Sequence, residues 1–143
     1  MKRFAILSLF LILGCAPRES LPEVGDAFSV PPGADHLMIG SSQLSPYRKV
    51  RVGGIAYDVA VNREGKVAYV GTDDPKFTTP EGLPVGATLA DVLAAGAAQP
   101  RSEPGWAYHT ELPSGWSAGF VVGPEMTGGP LQPSSKVVWF FKR

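Results

Sequence analysis

His36 and His109, the two histidines, and the adjacent carboxylates Asp73 and Asp74 are the residues most able to do chemistry. His109 lies on a stretch that alternates as a strand, with Trp106, Tyr108, Thr110 and Leu112 on one side and Ala107, His109 and Glu111 on the other. Nucleophilic catalysis there would need a serine beside the imidazole and an acid behind it. Gly115-Trp116-Ser117-Ala118-Gly119 has the letters of a nucleophile elbow, but an elbow is followed by a helix, and Phe120-Val121-Val122 reads as strand. Asp73 and Asp74, assisted by Asp58 or Glu81, could bind a cation or act as an acid/base pair. The stretch lacks the alternating oxygen ligands of a calcium loop, and bonding to the backbone amides of the turn before Pro75 explains the two aspartates more simply. No phosphate-cradling loop and no two-histidine metal pattern occurs, so the residues predict no catalytic set, no metal and no cofactor.

Aromatic side chains are the stronger lead. Trp106, Tyr108, Trp116, Phe120, Trp139, Phe140 and Phe141 crowd the later part of the chain. Such residues on neighbouring strands build a core first, and an exposed subset would form a protein-binding patch or a stacking surface for glycans. Trp106, Trp116, Tyr108 and His109 are the candidate binding surface. Residues 123–135, rich in glycine and proline, read as a long structureless loop that would meet it. Lys and Arg number 13 against 13 Asp and Glu, without runs of like charge. Arg48, Lys49 and Arg51 are too few for a nucleic-acid interface.

Several elements must position these groups. Ile55, Tyr57, Val59 and Val61 alternate with Ala56, Asp58 and Ala60, a half-buried strand, and Asn62-Arg63-Glu64-Gly65 turns the chain into a second arm from Lys66 to Val70. The stretch from Trp106 to Leu112, a turn at Pro113-Ser114-Gly115 and a return from Trp116 to Val122 predict another hairpin. Val137 to Phe141 reads as a strand buried on both faces. Residues 72–96 link the two regions and hold the one convincing helix: Thr88 as cap, Asp91 three residues on, Leu89, Val92 and Leu93 on one face, and Gly96 at the stop. Leu37-x-Ile39-Gly40-x-Ser42 answers Leu83-x-Val85-Gly86-x-Thr88, and Gly54-x-x-Tyr57 answers Gly105-x-x-Tyr108, so the halves 35–72 and 73–143 read as a repeat. Pro46 limits the first half's helix to about one turn.

The chain starts with Lys2 and Arg3, an apolar run from Phe4 to Leu13 and then Gly14-Cys15. That run is too short to span a hydrocarbon core, which takes about 20 residues, and it fits an export signal. Ile12-Leu13-Gly14-Cys15 resembles the lipobox of bacterial lipoproteins. The resemblance implies a signal peptide over residues 1–14, cleavage before Cys15, and acylation of that cysteine, the only one, as a membrane anchor. Without Lys2 and Arg3 the chain keeps 11 basic residues against 13 acidic, a net −2. Residues 15–34, with Pro17, Pro22, Pro31 and Pro32, read as a tether, although Leu21, Val24, Phe28 and Val30 could dock on the domain.

Glycine followed by Ser or Thr, a short helix and several antiparallel strands resemble small exported domains, among them β-lactamase inhibitor proteins and lipoprotein accessory factors of outer-membrane assembly. The expectation is an α+β fold over residues 35–143, a mostly antiparallel sheet with one short helix per half. The expected role is non-catalytic: a lipid-anchored, extracytoplasmic module of the cell envelope that binds a protein partner. A glycan or small-ligand binder using exposed aromatics ranks second, and an envelope hydrolase third.

Overall fold

The computed structural model describes residues 20–143. Eight strands, β1 (His36–Gly40), β2 (Gln43–Val52), β3 (Ile55–Val61), β4 (Val67–Thr72), β5 (Arg101–Glu103), β6 (Ala107–Glu111), β7 (Ser117–Phe120) and β8 (Trp139–Lys142), form one sheet; α1 (Leu89–Ala94) falls between β4 and β5. The spatial order is β1-β2-β3-β4-β8-β7-β6-β5, and every neighbouring pair is antiparallel. Each meander ends in the strand that joins it to the other, β4 on β8.

This corrects the expectation of an α+β fold with a helix in each half. The described residues hold a single six-residue helix, and the architecture is an antiparallel sheet rolled into a half-barrel. Where a first-half helix was expected, Gln43 opens a ten-residue strand. Pro46 sits opposite His36 at the end of the β1–β2 ladder, where an extended chain accepts the missing N–H. The matched stretches also land on different structures, Leu37 to Gly40 in β1 and Leu83 to Gly86 in the loop before α1.

α1 forms as its residues predict. Thr88 Oγ1 accepts from the Asp91 amide at 3.2 Å, and Asp91 Oδ2 accepts from the Thr88 amide at 3.1 Å. So short a helix depends on its packing. Leu89 and Val92 are buried, and the carbonyls of Ser135 and Pro133 take the first helical amides of Leu89 and Ala90.

The two faces of the sheet hold separate cores. On the outer face, Tyr57, Val59, Val70, Leu112, Trp116, Phe120 and Phe140 pack under the segment that carries α1. Phe77 fills the centre of this layer, its ring centroid 4.8 Å from Trp116, 5.7 Å from Phe140 and 6.0 Å from Tyr57. Residues 20–34 lie on the protein here as well. Gly25 donates to the Val67 carbonyl at 2.8 Å, Phe28 donates to Gly65 at 3.0 Å, and Arg48 stacks 4.1 Å over the Phe28 ring. Leu21 and Phe28 reach the outer core, the docking that their apolar side chains allowed.

On the inner face a smaller core of Ile39, Ala60, Tyr69, Trp106, Ala107 and Phe141 sits inside the curl. Glycine makes its rings fit. A methyl at Gly119 would lie 2.7 Å from Trp139 Cε2, and one at Gly71 would enter the Tyr69 ring. We therefore expect Gly119→Ala to destabilise the protein by about 1–3 kcal/mol in urea titration, the usual cost of overpacking, with Gly119→Ala/Trp139→Leu recovering part of the loss. A double variant no better than the sum of its single changes would show that ring crowding is not the cause.

Candidate functional site

The sheet curls until β1 meets the β5–β6 turn, but no backbone ladder joins β1 to β5 among the described residues. Side chains close the seam. Trp106 Nε1 donates to the Met38 carbonyl at 3.0 Å, Ser41 Oγ donates to the Pro104 carbonyl at 2.6 Å, and Arg143 Nη1 donates to the Ile39 carbonyl at 3.0 Å. Arg143 Nη2 also pairs with Glu103 Oε1 at 2.7 Å, while its guanidinium stacks over the Trp106 ring at 4.7 Å and lies 5.6 Å from the Phe141 centroid. Arg143, Phe141 and Trp106 thus plug the interior, and a cavity lies on each side of the plug.

The first cavity, about 220 Å³, is polar and is lined by Arg101, His109, Glu111, Ser117 and Arg143 among others. Burial, followed by the positive charge of Arg143, holds His109 below its ordinary pKa, and the opposing pull of Glu103 is weaker. The imidazole is therefore neutral near pH 7, and its 3.6 Å approach to Glu103 Oε2 is not an ion pair there. That oxygen has no hydrogen-bond partner. No serine hydroxyl bonds to His109 among the described residues, and Ser114 is held by Glu81 through its amide at 2.7 Å and its hydroxyl at 2.9 Å. Burial works against the Glu81 carboxylate, but these two bonds bring it below its usual range.

The second cavity, about 440 Å³, is apolar and falls in the size class of ligand pockets. Tyr69, Trp106 and Trp139 supply rings, Leu37, Met38, Val121, Met126 and Val138 supply aliphatic walls, and Asp58 and Asp73 stand at its margin. Gly71 belongs to the same lining, and the Tyr69 ring occupies the place that a side chain there would take. Burial keeps the Tyr69 hydroxyl protonated far above its usual range.

The candidate residues from the sequence do not share one surface. Trp106 and His109 meet on the inner face with ring centroids 6.0 Å apart. Trp116 is 6% exposed in the outer core, and Tyr108 packs on that side with its hydroxyl bonded to the Gly129 carbonyl at 2.6 Å. Strict alternation would set Trp106 opposite His109. It fails because Trp106 precedes β6 in the turn, where its amide bonds to the Glu103 carbonyl and its ring is free to swing inward. Residues 123–135 are more ordered than expected. Val122 and Thr127 form a parallel bridge, and Met126, with φ of 62°, reaches the apolar cavity. That loop reaches the Trp106 cavity through Met126, and its Leu131 packs against the outer core that holds Trp116. The reading missed Met38, Tyr69, Val121 and Val138. Their signal in the sequence is only that of ordinary strand residues.

Among the described residues no group of three or more His, Asp or Glu gathers closely enough to hold a metal. No helix there is long and apolar enough to cross a membrane, and Cys15 lies outside the described residues. Asp74 organises the turn: Oδ2 accepts from the Ala56 amide and Oδ1 from the Lys76 amide, each at 3.0 Å, and its own amide donates to Thr72 Oγ1 at 3.1 Å. Compared with protein-family models, curated proteins and solved structures, the chain matches none.

The Ala56 and Lys76 amides hold the Asp74 carboxyl below the ordinary carboxylate range. A depressed folded pKa gives stability that is full above the unfolded value, about 4, and is lost as pH falls through the folded one. Asp74→Asn should lower Tm at neutral pH and flatten the decline of Tm on acidification. An acid limb as steep as that of the unsubstituted protein would remove Asp74 from this role.

Proposed function

We propose that the protein is a non-catalytic binding module of the cell envelope, held on the extracytoplasmic side of a membrane by lipid on Cys15, with the apolar cavity as its binding site. One observation carries the site. Seven large apolar side chains among the described residues stand exposed, and four of them, Met38, Val121, Met126 and Val138, line this one cavity. Scattered apolar residues are ordinary on a protein surface, whereas a cluster around a concavity marks a place that exchanges water for a ligand. The ligand is a small apolar molecule or an apolar side chain of a partner.

Anchoring rests on the lipobox residues. Cys15→Ser is expected to leave the protein without acyl label and to release it from the membrane fraction; full membrane retention without label would end that assignment. The site is tested with N-phenyl-1-naphthylamine, a neutral apolar fluorophore. We expect saturable binding to the purified domain, weakened at least tenfold by Met126→Asp or Val138→Asp, with far-UV circular dichroism unchanged. Equal affinity in all three proteins would place the apolar site elsewhere.

A further inference from the structure

Within the cavity just described, and resting on its assignment as the binding site, the charge of the wall is one-sided. Asp58 and Asp73 are its only charged lining residues among those described. They differ in what they have left to offer. Lys49 Nζ approaches Asp58 Oδ1 to 2.7 Å, a pair that largely neutralises this carboxylate. Asp73 is exposed and takes part in no salt bridge among the described residues. The cations nearby are engaged: Lys49 pairs with Asp58 and feels Asp73 more weakly, and Arg143 behind the rings is matched by Glu103 at 2.7 Å.

Three rings face the same space. Tyr69 stacks on Phe141 with centroids 5.7 Å apart, and Trp139 meets Trp106 edge to face at 5.8 Å. Aromatic faces attract cations, and in this interior Trp106 already carries the Arg143 guanidinium on its ring. A carboxylate outside every salt bridge of the described residues, standing beside indole and phenol rings at the rim of an apolar hollow, favours a positive charge at the rim and an apolar body inside.

We propose that the cavity selects a cationic amphiphile, an ammonium group carried on an apolar body, with Asp73 and the Trp139 ring holding the charge and Met38, Met126 and Val138 holding the body. An anionic head in the same place would meet Asp73 with like charge.

The test uses octyltrimethylammonium, octyl glucoside and octyl sulfate below their micelle concentrations, titrated calorimetrically against the protein and read in parallel by tryptophan fluorescence. The ammonium should bind about tenfold more tightly than the glucoside, with the sulfate weakest. Asp73→Asn should reduce the ratio of ammonium to glucoside affinity severalfold. Trp139→Leu checks the ring independently and should lower ammonium affinity more than glucoside affinity. Equal affinity for the three heads would overturn the charge selection and leave the apolar site standing. Tighter sulfate binding would reverse its sign, and failure of all three to bind would remove the site itself.

Discussion

Of the side chains that close the curled sheet, one guanidinium makes the most contacts. A sheet this strongly curved could close by pairing its edge strands, which removes unpaired backbone edges altogether. Here no ladder joins β1 to β5 among the described residues, and Arg143 reaches across the interior to a carbonyl of β1, a carboxylate of β5 and the rings of Trp106 and Phe141. Arginine suits the task because its planar fork donates in several directions while its face stacks on aromatics. Trp106 adds the second clasp through Nε1. Closure by side chains instead of a ladder leaves the barrel ajar, and the apolar cavity lies in that opening.

The same decision divides the two faces. The outer layer is dense, with Phe77 wedged among Tyr57, Trp116 and Phe140. Among the described residues the inner layer has six buried apolar side chains, and it needs Gly71 and Gly119 to admit its rings. Two tryptophans that look alike in the sequence therefore do different work. Trp116 is packing material, while Trp106 is both a clasp and a cavity wall.

Much of the secondary structure was legible. β3 coincides with its alternating stretch, α1 carries the capping box that Thr88 and Asp91 announce, and Asp74 organises its turn through backbone amides. The missing first-half helix was misread because a Gly-x-Ser motif is compatible with a hairpin as well as a helix cap, and the sheet pairing decided between them. The site was harder to see. Its wall draws on β1, β3, β4, β8, the β5–β6 turn and the loop around Met126, which only the curl brings together. Met38 and Val138 look like ordinary strand residues until their neighbours are known. Loop residues 123–135 carried the one usable hint, a long run of glycine and proline beside an aromatic-rich strand.

The position of β8 has a consequence for how the chain acquires its shape. It is the last strand in chain order, yet it sits mid-sheet, with Val70 of β4 opposite Lys142 and Ser117 of β7 opposite Phe141. Contacts between residues so distant in sequence are slow to form, because a long loop must close before any pairing rewards it. Until β8 arrives, the first meander shows an open edge at β4 and the second an open edge at β7, and Arg143 is not yet there to draw the curl together. The sheet thus stays in two open pieces until β8 pairs on both of its sides.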